Sequence, residues 1–273
     1  MIPIPIVKIE KGYKIHYLEK GSRGRKLVFI HGFLGNSWVF KAQVDYFAKN
    51  YHSIAIDHLG HGNSDKPKSE SYSFENLAKY LDLTLSKIIG DENIILIGHS
   101  MGGMIAQIYA SSNLSKRLDG LVLMSTSPRF HNPLMDQYRD PVLQAQEEMY
   151  IIEDRVVNLL VNLMFFRKFS KANPEFIKEF TKRTFEIENY VGFRTLREVF
   201  SFNSMDKLKS ITIPTLIFTS DKDKLILPED STILHENIPN SYLKILSPKV
   251  GHYIQFEAKK NFHEALQNFL NKI

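Results

Sequence analysis

Residues 94–104 read Ile94-Ile95-Leu96-Ile97-Gly98-His99-Ser100-Met101-Gly102-Gly103-Met104. An apolar run of strand type stops abruptly at Gly98, and a helix-forming segment begins at Met101. Between them lies a Gly-x-Ser-x-Gly sequence, the nucleophile elbow pattern, in the strand–turn–helix setting that it requires. In so tight a turn, side chains two residues either side of Ser100 would collide, and glycine at both positions removes the obstacle. Ser100 is left on strained backbone with its hydroxyl exposed. The free N–H groups at the start of the following helix point to the same spot, where an oxyanion could form. The three residues alone are a weak signal; their place between a strand and a helix makes it strong.

Composition bounds the possibilities. A chain of 273 residues can bury a full core, as one large domain or a core with a substantial insertion. Its 43% hydrophobic and 24% charged residues are ordinary globular values. The net charge of +5 comes from lysines interleaved with acids along the chain, which reads as a solvated surface. No recognition helix, zinc finger or aromatic RNA platform is present, so nucleic acid is not the expected partner. The absence of cysteine excludes disulfides, thiol catalysis and cysteine-ligated metals. No apolar run is long enough to span a bilayer, and the start, Met1-Ile2-Pro3-Ile4-Pro5-Ile6, does not look like a signal peptide. A cytoplasmic protein is the expectation.

Outward from the elbow, the pattern alternates. Residues 7–9 and 13–19 read as a hairpin, 26–30 and 53–57 as short apolar strands, and 74–89 as a helix with Leu77, Leu81, Leu85 and Ile88 on one face. The elbow strand (93–98), its helix (101–112) and another strand (118–125) follow. Such alternation predicts a parallel sheet covered on both faces. It stops at about Pro128 and resumes after Met205 with a strand (215–220), a helix (229–235), a strand (242–246) and a closing helix (256–270). The expected division is a core of 1–127 and 206–273, with residues 128–205 as a helical cap over the C-terminal sheet edge, where ligands of open α/β sheets bind. Within the cap, residues 156–166 are apolar nearly all round. They fit a helix sandwiched between cap and core, or one that also lines an apolar cleft.

A serine nucleophile needs a base, and the base needs an acid to orient it. Both should lie at the ends of later strands. Of the ten histidines, only His252 follows the elbow and sits on a loop between a strand and the last helix. His131, His235 and His263 fall in the cap or on helices, where solvent-facing roles are expected. After strand 215–220, Asp221 and Asp223 compete as the acid. The end of strand 118–125, Ser125-Thr126-Ser127-Pro128, offers no carboxylate. For the oxyanion, the backbone N–H of Met101 is one expected donor, and that of Phe33, in His31-Gly32-Phe33, is the other. Asp57, His58 and His61 suggest a metal cluster, but Asp57-x-x-Gly60-x-Gly62-x-Ser64 reads better as a turn, and no metal is expected. Trp38 is expected to pack near the cleft rather than stack on substrate.

Taken together, these pieces resemble the α/β-hydrolase family, in particular its smaller capped, carboxylesterase-like branch. The matching residues are His31-Gly32-Phe33, Asp57-x-x-Gly60-x-Gly62-x-Ser64, Gly98-His99-Ser100-Met101-Gly102-Gly103, Pro214-Thr215-Leu216-Ile217 with Asp223, and Gly251-His252. They occur in family order across the core, and only the cap lacks motifs. The resemblance implies an α/β fold with a mostly parallel eight-stranded sheet, helices on both faces, an inserted cap and cofactor-free catalysis. Family-type spacing favours Asp223 as the acid. Pro228, however, lies one residue further on than is usual, which leaves Asp221 open.

The implied activity is that of a serine hydrolase cleaving small apolar acyl esters, with Ser100, His252 and Asp223 as catalytic residues. Its partner would be a small-molecule acyl substrate. Branches with an aspartate nucleophile, such as haloalkane dehalogenases and epoxide hydrolases, do not fit. Proline iminopeptidases usually have tryptophan after the nucleophile, where this chain has Met101, yet Glu147, Glu148 and Glu153 could hold a substrate amine. A hydrolase of carbon–carbon bonds in diketones is a further alternative, as is a non-catalytic scaffold that only holds a ligand.

Overall fold

The computed structural model describes residues 5–147, 154–184, 187–247 and 249–273. Its strands are β1 (Ile6–Lys8), β2 (Lys14–Lys20), β3 (Lys26–Ile30), β4 (His52–Ile56), β5 (Ile94–His99), β6 (Leu118–Met124), β7 (Thr215–Ser220) and β8 (Ser241–Leu246). They form one eight-stranded sheet in the order β1-β2-β4-β3-β5-β6-β7-β8. β2 is antiparallel to β1 and to β4, and the other neighbouring pairs are parallel. Helices α1 (Lys41–Phe47), α2 (Phe74–Ile89) and α3 (Met101–Ala110) alternate with the first strands. Between β6 and β7 come α4 (Arg139–Gln144), α5 (Asp154–Met164), α6 (Arg167–Ala172), α7 (Pro174–Thr184) and α8 (Asn189–Ser201). The chain ends with α9 (Pro228–Asn237), α10 (Ile254–Glu257) and α11 (Lys259–Leu270).

Local sequence accounts for these elements. β5 is buried along its whole length, as a central parallel strand covered on both faces must be, and its isoleucines suit that pleated environment. β8, at the edge, leaves Tyr242 and Ile245 exposed. α2 starts where the Ser73 side chain accepts the N–H of Asn76, buries Leu77, Leu81 and Leu85, and stops at Gly90 with φ 63°. From β3 the chain moves to β4 on one side and then returns to β5 on the other. The loops after β3 and β5 therefore diverge from adjacent strand ends, and a crevice opens at this switch point.

The turn after β4 is organised by one buried carboxylate. Asp57 accepts the N–H groups of Ser37 (2.5 Å) and Asn63 (2.8 Å) and pairs with His16 Nδ1 at 2.6 Å. Burial alone would raise its pKa. The bond and charge of His16 and the Ser37 N–H outweigh that, and the pKa is lowered. His58 and His61 do not join it in a metal site; among the described residues no cluster of His, Cys, Asp or Glu is placed to hold an ion. Asp57→Ala should cost about 3–5 kcal/mol, because it strands a buried histidine and two N–H groups. The carboxylate's contribution is present above the ordinary carboxylate pKa and is lost as pH falls through its lowered value. Urea midpoints measured from pH 7 down to pH 3 check this; equal midpoints for both proteins at pH 7 would refute it.

Two expectations need correction. The closing helix is broken at Ala258, whose φ of −130° and ψ of 40° lie outside the helical region. His263 does not face solvent: it is buried, with its ring stacked 3.9 Å from that of Tyr46. It borders the apolar stripe of Phe262, Leu266 and Phe269, and burial pushes its pKa down to about 4. His131 and His235 are exposed, paired with Asp136 and Ser241.

The helical segment between β6 and β7 leaves and rejoins the sheet region at one point. Arg129 and Asn203 form an isolated bridge, and Ser204 donates its N–H to Pro128 O at 2.8 Å. In α5, Leu160, Leu163 and Met164 are buried while Asn162 is exposed. The run 156–166 is thus not enclosed all round, and the side chains of residues 156–158 lie outside the described ones.

Candidate active site

Ser100 occupies the bend between β5 and α3 with φ 55° and ψ −122°, a strained conformation for a residue with a side chain. Its surroundings hold it there. Its N–H donates to Met124 O (2.9 Å), and its carbonyl accepts from the N–H of Gly103 (2.8 Å) and the hydroxyl of Thr126 (2.8 Å). A Cβ on Gly98 would lie 2.5 Å from Gly102 O, and one on Gly102 2.5 Å from the carbonyls of Ile30 and His31. Glycine at both positions lets α3 press against the ends of β3 and β5, as the sequence pattern implies.

His252 lies on the loop between β8 and α10. Its Nδ1 is 2.8 Å from Asp223 Oδ2, and both side chains are fully buried. A carboxylate can only accept, so Nδ1 carries the proton and Nε2 is left as an acceptor. The other Asp223 oxygen accepts the N–H groups of Leu225 (2.9 Å) and Ile226 (3.0 Å), two residues of the slightly long loop before Pro228. Asp221, in contrast, accepts the Ser247 hydroxyl at 2.7 Å. The loop is also held from below, where His99 Nε2 bonds to His252 O (3.0 Å) and the Ser220 hydroxyl to Gly251 O (2.8 Å).

Ser100 and His252 line one cavity, with Phe33 and Met101 beside them. The loop after β3 is close at hand, since a Cβ on Gly32 would stand 2.9 Å from Ser100 Cβ. Among the described residues, every lining side chain apart from Ser100, His252 and Tyr253 is apolar; Leu160 and Met164 come from α5 and Leu196 and Val199 from α8. Behind the loop, His31 Nδ1 bonds to Gly32 O (2.9 Å) and His31 Nε2 accepts the His58 N–H (3.2 Å). Burial keeps the pKa values of His31, His58 and His61 low, that of His61 at about 3, so these rings are neutral supports. Trp38 lies outside this cavity, stacked on Phe176 at a centroid distance of 6.0 Å.

Of the acids considered for a substrate amine, Glu147 is held by Arg194 through two bonds (2.6 and 2.9 Å), while Glu148 and Glu153 lie outside the described residues. The sequence reading overlooked His99 and Glu257. Glu257 is a half-buried carboxylate accepting the N–H groups of Gly251 (3.1 Å) and Phe166 (3.0 Å), and its partial burial pushes its pKa up to about 7. Its one visible signal was an acid ending the otherwise uncharged run Tyr253-Ile254-Gln255-Phe256.

Known proteins share this architecture. Lipase 3 of Moraxella sp. is 28% identical over 99% of this chain and 86% of its own length. The proline iminopeptidase of Saccharolobus solfataricus is 27% identical over 98% of this chain and 94% of its own. An esterase from Exiguobacterium antarcticum superposes with a TM-score of 0.85 at 22% identity, over 98% of this chain and all of the other. Residues 26–259 match the family model of the alpha/beta hydrolase fold. With that match over most of its length and the eight-stranded sheet described above, the chain belongs to the alpha/beta hydrolase family.

Proposed function

We propose that the protein is a serine hydrolase of the carboxylesterase type, acting on small apolar acyl esters. What supports this reading above all is the buried Nδ1–Asp223 bond, which presents His252 Nε2 as a base in the apolar cavity that Ser100 also lines. Ser100 Oγ attacks the ester carbonyl while Nε2 takes its proton. Asp223 holds the ring and stabilises the imidazolium. The N–H groups of Phe33 and Met101 bind the oxyanion, and the imidazolium returns the proton to the leaving alcohol. Water, deprotonated by the same nitrogen, then releases the acid from the acyl-enzyme. Residues 128–205 act as the cap, whose α5 and α8 form the wall against which the acyl chain lies.

An apolar wall favours esters over N-terminal peptides. Among the described residues no carboxylate side chain lines the cavity, and the Glu147 carboxylate is engaged by Arg194. A p-nitrophenyl ester series set against aminoacyl-naphthylamides tests the assignment. From acetate to butyrate, kcat/KM should rise by about fourfold per methylene, the transfer free energy of one CH₂ group. It should drop again once the acyl chain outgrows the cavity. Hydrolysis of the naphthylamides with the esters untouched would instead make the protein a peptidase.

A further inference from the structure

The loop carrying His252 is bonded to the end of α5 as well as to the sheet. The His252 N–H donates to Met164 O (2.8 Å), the last residue of α5. Glu257, on α10, completes the junction: one carboxylate oxygen accepts the Gly251 N–H and the other the Phe166 N–H, just beyond α5. The approach is so close that a Cβ on Gly251 would lie 2.8 Å from Phe166 N and 3.0 Å from Met164 O. Phe165 stacks on Tyr253 at a centroid distance of 5.2 Å, adding an aromatic contact across the same seam. Yet α5 also supplies Leu160 and Met164 to the cavity wall. One short stretch of chain therefore touches the base on one side and the acyl chain's expected berth on the other.

We infer that Glu257 is a positioning residue that ties the His252 loop to α5, so that the cavity wall and the general base take up their working positions together. This rests on the serine hydrolase reading for its kinetic consequence, though the tie itself does not. A carboxyl group is suited to the task because it offers two oxygens at fixed separation to two N–H groups from segments about 85 residues apart in sequence. An acyl chain pressing on Leu160 and Met164 then steadies the imidazole as well.

Glu257→Gln keeps the shape but sets an NH₂ group against one of the two N–H donors. For an ester it should lower kcat about tenfold, the cost of a slightly misplaced catalytic group, with KM for acetate within about twofold. In the natural background Leu160→Ala should lower kcat and raise KM; in the Glu257→Gln background it should raise KM alone. Effects on kcat that simply multiply would overturn the proposal. Hydrogen exchange gives an independent reading without substrate. In Glu257→Gln the amides of residues 249–253 and 164–168 should speed up together, and faster exchange in only one segment would overturn the tie whatever the enzyme hydrolyses. Gly251→Ala, whose Cβ would press on Phe166 N, Met164 O and Glu257 Oε1 together, should reproduce both effects; wild-type exchange and kcat in it would count against the proposal. Loss of ester turnover in the wild type itself would instead strike at the serine hydrolase reading, with the exchange result standing on its own.

Discussion

Ser100→Ala is expected to lower ester turnover by about 10⁴- to 10⁶-fold, the range seen when a serine nucleophile is removed and only binding and oxyanion stabilisation remain. Thermal stability should hardly move. The bonds that fix this bend run through the Ser100 backbone, to Met124, Gly103 and Thr126, and alanine preserves all of them. The strain of φ 55° is also common to both residues. Labelling by a fluorophosphonate should vanish in the same variant. If the purified variant hydrolyses p-nitrophenyl butyrate at the parent rate, Ser100 is not the nucleophile and the enzyme reading falls with it.

The acid is tested by a pair of substitutions. In Asp223→Asn the amide oxygen can keep the N–H bonds from Leu225 and Ile226, which turns the NH₂ group towards His252 Nδ1. An NH₂ group donates, so Nδ1 must become the acceptor and the ring proton moves to Nε2. The imidazole then has no lone pair to offer Ser100, and kcat should fall by about 10⁴-fold with the fold intact. Asp221→Asn alters the bond from Ser247 and a long, exposed ion pair with Lys222 at 3.9 Å, and should change kcat by less than about threefold. Steady-state kinetics on the two variants separate them. A larger loss in Asp221→Asn would transfer the role to Asp221, with Asp223 left as a loop-organising carboxylate.

Much of this was legible in the chain. The elbow could be read because its pattern is local: Gly98 must clear Gly102 four residues on, while Gly102 makes room for the carbonyls of Ile30 and His31 on the neighbouring strand. The strands could be read because a parallel sheet covered on both faces leaves runs such as Ile94–Ile97 with no polar side. The position of His252 on a loop after a strand was legible for the same reason, since the sheet's architecture gathers strand ends at one edge. His263 was misread because helical spacing predicts a stripe but does not say how far the neighbouring layer, here Tyr46, reaches around it.

The sequence by itself determined the fold family, the order of its elements and the places of Ser100 and His252 after their strands, because each of these follows from periodicity and from steric demands inside a short segment. Only the tertiary structure paired the imidazole with Asp223 in place of Asp221, brought side chains of α5 and α8 to the cavity, and set Glu257 between the His252 loop and the end of α5. Two carboxylates two residues apart look alike along a chain. They differ in which one the folded loop buries against the histidine, and which one it leaves beside Ser247. Such contacts join residues tens to hundreds of positions apart, and a distance of that kind has no trace in composition or spacing until the sheet brings the segments together.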